Sequence, residues 1–300
     1  MKKKTYLFAL MAMVLTLGSC SDNENGIGGE TSKYITVSTS IGNMTRVATD
    51  AKGGQTFEEG DEISVYAWTG DATIAPDASE RVVNNAINKL TNGSWVSTPQ
   101  MLWKNNRDKH YFIGVYPISA ISDLSAGEYT FDETKQVESD LLVAVNKDGL
   151  SYNVDEQQPV PLTFTHVMAK LVVNLTYKNQ WGGIPTVEKV VVGNAAKEAT
   201  INYLTKVVTP STTAKEDFSL PEITENTKYV SVIIPQEEVT QLTIVIGGKN
   251  FVYDNGTPFK LESGKITTVN LEVGRDEIKL GDVKITNWED GSTFSGEALN

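Results

Sequence analysis

Cysteine occurs once in 300 residues and histidine twice, and 26 cationic side chains face 38 acidic ones. A single thiol excludes a disulfide framework within the chain. With only His110 and His166 available, a histidine-rich metal site is excluded. A serine triad would need one of those two histidines and a nucleophile turn, and no G-x-S-x-G is present. The formal net charge of −12 repels phosphate backbones, so nucleic acid is not an expected partner. Long apolar runs are missing as well: "YLFALMAMVLTL", Tyr6 to Leu17, falls short of the roughly 20 residues that a spanning helix needs. Helical spacing is held in no long window, which removes the all-α and α/β classes.

What is present begins with Lys2 to Lys4, that apolar run, and small residues leading into Cys20, the layout of an export signal. "LGSC", Leu17 to Cys20, resembles the bacterial lipobox, in which the cysteine becomes the first mature residue and carries acyl chains on its sulfur and amine. The expectation is a lipoprotein signal peptide over 1–19, lipidation at Cys20, and an outer-membrane anchor, since two or more chains give firm retention. The alternative is an ordinary signal peptide cut near Ser19, leaving Cys20 as an unpaired thiol. Loss of residues 1–19 removes three lysines and no acids, taking the formal charge from −12 to −15. Residues 20–32 have the polar, Gly-containing composition of a flexible tether. Asp22 and Glu24 resemble the acidic signal that sends lipoproteins of Bacteroidetes to the cell surface.

Beyond the tether the pattern has period two. "YITVSTSI" puts Ile35, Val37, Thr39 and Ile41 on one face, and "EISVYAW" puts Ile63, Val65 and Ala67 on one face and Tyr66 and Trp68 on the other. Further strands are predicted at "YFIGVYP", "DLLVAV", "KLVVNLTY", "EKVVVG", "YVSVIIP", "QLTIVIG" and "TTVNLEV". Asn92-Gly93 and Asn255-Gly256 suit tight hairpins, because both residue types tolerate positive φ. Many short strands with such turns indicate an all-β protein of sandwiches. The mature length exceeds the usual single domain. The polar, proline-containing stretch Asn153 to Pro161 is the best boundary, giving domains over 33–158 and 159–300.

The segments "TRVATDAKGGQTFEEGDEISVYAW", the Trp95 and Trp103 pair, "YFIGVYP", "DLLVA", "PLTFTHVMAKLVVNL" and "ITNWEDGSTFSGEA" together resemble, in that order, the fimbrillin-like lipoproteins of Bacteroidetes. The resemblance implies two tandem transthyretin-like (Greek-key) β-sandwich domains, a place on the cell surface or in a fimbrium, and a structural role in a pilus and in adhesion. It implies no enzyme activity and no cofactor. It also implies a trypsin-like processing protease that cuts after an arginine behind the first strand, and other pilus subunits, alike or different, as partners. Arg46 fits that arginine, and Lys52 is a second site of trypsin type. The displaced strand would then be the one carrying Ile35, Val37, Thr39 and Ile41.

Removing a strand leaves unpaired backbone groups and an apolar slot, which a strand from another chain can fill. The donor candidate is 277–288, "EIKLGDVKITNW", where Ile278 and Leu280 share one parity and Val283 and Ile285 the other. The phase shift at Gly281-Asp282 implies a bulge or a break. The same segment could instead close the second sandwich in the ordinary way.

Three other features have structural and chemical readings. His166, beside Phe164 and Met168, reads as a packing residue. "EEGD", Glu58 to Asp61, lacks the spaced ligands of a calcium loop and reads as a solvated turn. Trp68, Trp95 and Trp103 fit sandwich core and cross-strand positions. An exposed coplanar set would instead make the chain a monomeric glycan-binding surface lipoprotein.

Overall fold

The computed structural model describes residues 33–42, 56–153, 158–239, 241–253 and 258–288. In the first half the strands are β1 (Val37–Ile41), β2 (Glu62–Thr69), β3 (Val83–Thr91), β4 (Ser94–Thr98), β5 (His110–Tyr116), β6 (Gly127–Thr130), β7 (Leu142–Leu150) and β8 (Val160–His166). There follow β9 (Ala169–Tyr177), a 3-10 turn (Asn179–Trp181), β10 (Val187–Ala196), β11 (Glu198–Asn202), β12 (Val207–Pro210), β13 (Lys215–Ser219) and β14 (Glu222–Thr224). The last are β15 (Lys228–Ile233), β16 (Gln236–Val239), β17 (Leu242–Ile246), β18 (Lys249–Tyr253), β19 (Phe259–Leu261), β20 (Lys265–Val273) and β21 (Ile278–Asn287). The protein is all-β.

The main sheet of the first half runs β1-β8-β7-β5-β2-β3-β4. Its central strands are buried on both faces, which is why β2 is buried throughout its middle despite a clean alternation. Ile63, Val65 and Ala67 point into one core with Ile35, Val37, Phe112, Leu162 and Phe164. Tyr66 and Trp68 point the other way, into a larger core that continues through residues of the second half such as Met168, Leu171, Tyr203 and Ile244. The two faces predicted for "EISVYAW" are the two faces observed.

The second half contributes a five-stranded sheet, β14-β15-β9-β20-β21, and a four-stranded one, β13-β10-β17-β18. A smaller sheet, β12-β11-β6, draws β6 across from the first half, and β16 pairs with β19. The sheet boundary differs from the expected domain boundary at 158/159. β8 lies beyond that point in sequence and hydrogen-bonds to β1 and β7, so the chain leaves the first sheet only at Val167 and Met168.

Turn chemistry follows residue type. Asn92 and Gly93 link β3 to β4 with φ of 52° and 72°, the doubly positive geometry of a tight hairpin. Their backbone N–H groups donate to the Glu59 carboxylate at 2.6 and 3.4 Å, and Asp61 accepts from the Glu58 N–H at 2.7 Å. "EEGD" is thus an exposed turn that ties down a neighbouring hairpin. Asn255-Gly256 lies outside the described residues.

Candidate functional site: the first strand and its seam

β1 is an edge strand of unusual attachment. It runs parallel to β8, in register from Val37 opposite Val160 to Ile41 opposite Phe164. The ladder is extended at both ends: the Val160 N–H donates to the Thr36 carbonyl at 2.8 Å, and the Gly42 N–H to the Phe164 carbonyl at 2.8 Å. Just before β1, Tyr34 bridges Leu102 in the antiparallel sense. There the Ile35 N–H donates to Met101 at 2.9 Å, and the Trp103 N–H to Lys33 at 3.1 Å. The N-terminal segment therefore spans from one edge of the seven-stranded sheet to the chain just past its other edge strand, β4.

This seam is stitched at one end and open at the other. Beyond Ile35 the two sides part around a cleft of about 610 Å3, lined by Val37, Thr39 and Ile41 on one side and Leu90, Gly93 and Trp95 on the other. Among the described residues one side-chain bond crosses it, from the Trp95 Nε1–H to the Thr39 hydroxyl at 3.0 Å. Phe57 packs there, edge to face, on Trp95, Tyr116 and Phe164, with centroids 5.1 to 5.4 Å apart. Such pairs add to area burial. Tyr116 has its pKa pushed up to about 12, first by burial and then by Asp61, whose carboxylate accepts from the Tyr116 hydroxyl at 3.4 Å.

Of the four inward residues expected in this strand, Ile35 and Val37 are buried and Thr39 and Ile41 are half-buried. The apolar anchor sits at the stitched end, where the seam is closed. Each fully buried side chain contributes about 1.5–3 kcal/mol, so the open end of β1 is the weakly held one.

At the other terminus, Ile278, Leu280, Val283 and Ile285 lie on β21, which pairs antiparallel with β20 along its whole length. Asn270 faces Asp282 and Leu271 faces Leu280, which leaves Gly281 as the extra residue of a bulge. Of the two outcomes the phase shift allowed, bulge or break, the bulge is observed. Ile278, Leu280 and Val283 rest half-buried against the larger core, and Ile285 is 39% exposed.

The three tryptophans do not assemble into a platform. Trp68 is buried, with its Nε1–H donating to the Asp71 carbonyl at 2.8 Å. Trp95 lines the cleft at the open end of the seam, and Trp103 meets His110 and Phe112 edge to face. The coplanar exposed set that glycan stacking needs is therefore absent at these positions. His166 is a packing residue, with its Nδ1 2.8 Å from the Asp140 carboxylate. Among the described residues no group of His, Cys, Asp or Glu could hold a metal ion, and no helix is long and apolar enough to cross a membrane. Cys20, Arg46 and Lys52 lie outside the described residues.

A model of the fimbrillin-like family matches residues 45–288. The chain belongs to that family. The fimbrillin-like chain is 25% identical over 316 residues, 97% of each sequence, to a Bacteroides uniformis protein named "Putative fimbrium subunit Fim1C". Its fold is shared by a "putative cell adhesion protein" crystallised from Bacteroides uniformis, with a TM-score of 0.65 at 18% identity. The match covers 86% of this chain and 100% of that one. A fimbrial protein from Bacteroides vulgatus matches with a TM-score of 0.52 at 13% identity, over 84% of this chain and 99% of that one. The fimbrillin-like family is one of structural fimbrial subunits, not of enzymes, and membership places this chain at the cell surface.

Proposed function

We propose that this protein is a structural subunit of a surface fimbrium that takes part in adhesion and assembles by strand exchange. It is exported as a lipoprotein acylated at Cys20 and anchored in the outer membrane. A trypsin-like protease cuts after Arg46 and frees β1. The groove left between β8 and the β4 edge then accepts a strand from a second subunit, and β21, with Ile278, Leu280, Val283 and Ile285, is the strand offered in turn.

The observation that carries this reading is the seam. β1 is the only element that bridges β8 to the chain beyond β4 among the described residues, and its loss would uncover Phe164, Leu162 and Met101 together with a row of β8 backbone groups. An uncovered edge of that kind invites pairing with another chain. Two further facts support it: Arg46 follows β1 closely in sequence, and the family match begins at Thr45, beside that arginine. A donor contact of this head-to-tail type does not close on itself, and so builds a filament.

The test is to purify the protein from its native surface, sequence its N-terminus and run it unboiled on a denaturing gel. An N-terminus at Val47 and a denaturant-resistant ladder are expected. An intact acylated Cys20 with monomers alone would overturn polymerisation and leave the chain as an anchor.

A further inference from the structure

Most of β21 is exposed, yet the residue that follows it is a buried anchor. Trp288 is 4% exposed. Its indole lies flat on the His166 imidazole, with centroids 4.1 Å apart and planes 7° from parallel. The buried Lys170 ammonium stands 5.5 Å from the indole centroid, within cation–π range. The Trp288 backbone N–H donates to the Gly264 carbonyl at 3.2 Å. The seat is tightly built. Gly264 sits at φ +66° and so close to β8 that a Cβ there would meet the His166 carbonyl oxygen at 2.9 Å.

His166 is the last residue of β8, the strand that carries β1. The two neighbours of β8 divide its length between them. β7 pairs only with its end, Phe164 to His166, whereas β1 pairs with Val160 to Phe164, so that the two share only Phe164. Loss of β1 thus strips the first part of β8 of its ladder partner and leaves the strand held at the end on which Trp288 rests. Both terminal strands of the described fold converge on this one strand, β1 along its edge and β21 through one indole.

We propose that Trp288 is a latch that holds β21 on its own subunit, and that β8 couples the latch to β1, so that loosening β1 loosens β21. The use of such a coupling, a C-terminal strand freed only after the groove has opened, rests on the fimbrial reading above; the coupling itself does not. A strand that stays latched until β1 departs cannot be offered to another subunit too early.

Hydrogen exchange on the monomeric mature chain tests this directly. Trp288→Ala should speed exchange of the Lys279 to Asn287 amides by about tenfold or more while leaving β2 and β5 unchanged, because local opening is read separately from global unfolding. Ile35→Ala should speed exchange in β1 and, with Trp288 present, in β21 as well. In the double variant, Ile35→Ala should add nothing further in β21. Should Trp288→Ala not fold, His166→Ala removes the seat from the other side and carries the same expectation. Unchanged β21 exchange in the seat variants overturns the latch, and β21 exchange indifferent to a loosened β1 overturns the coupling. A monomer can pass this test whether or not it polymerises, so failure here is distinct from failure of the fimbrial reading.

Discussion

β1 and β21 are both terminal edge strands, and they differ in what their removal exposes. β1 and the residues just before it send Val37 and Ile35 into a closed core and span the gap between two sheet edges. β21 lies along β20 with alternate side chains in solvent and only half-buried apolar contacts beneath it. Without β1 a core is opened; without β21 a sheet is shortened. Edge position alone therefore says little about the cost of losing a strand, and the burial of its first few side chains says much.

The largest expected effect that would break this comparison is on the plug side. Ile35→Ala should cost about 2–5 kcal/mol in chemical denaturation, the range for a buried large-to-small change; a cost near zero would make β1 an ornament of the sheet. Next comes Gly114 on β5, where a Cβ would lie 2.6 Å from the Phe164 ring tip and 3.1 Å from Leu162. Gly114→Ala should therefore push on the strand that carries β1 and destabilise by about 1–3 kcal/mol, as overpacking does. Trp95→Phe deletes the Trp95–Thr39 bond across the open seam and should cost about 0.5–1.5 kcal/mol, with the loss in exchange protection centred on β1. Ile285→Ala, on the exposed side of β21, should stay within about 0.5 kcal/mol of the parent.

Alkaline pH sharpens the same contrast. The Tyr116 pKa is raised from 10.0 to about 12, so between those values the native state keeps a proton that the unfolded chain has lost. Stability from this group is complete below pH 10 and falls as pH rises toward 12. Tyr116→Phe should flatten that part of the pH–stability curve, while an unchanged slope would remove Tyr116 from the seam's energetics.

Local pattern made much of this legible. The parity of "EISVYAW" assigned both faces of β2, Asn92-Gly93 gave the β3–β4 hairpin, and the slipped parity of 278–285 signalled a bulge or a break, of which the bulge at Gly281 is observed. Pairing did not show in the same way. Nothing in "PLTFTH" says that β8 joins strands that precede the proline-containing boundary, or that β1 lies parallel to it, because register between distant segments leaves no periodic trace in either one. Trp288 and Lys170 escaped for a related reason. A lysine inside "AKLVV" looks solvent-facing, and only the meeting of β9, β21 and the end of β8 buries its amine beside an indole, where burial lowers its pKa.

The pairing of Val37 with Val160 closes a span of 123 residues, the difference between the two positions. Contacts so distant in sequence form slowly, because the loop must be closed before anything is gained. β1 is the first strand of the described fold to be made, and Val37 to Ile41 have no ladder to join until β8 exists. It is thus seated late, onto a sheet whose other members pair with nearer neighbours in sequence. An element seated late can depart without undoing what was assembled before it, and that order in time suits the strand exchange proposed above.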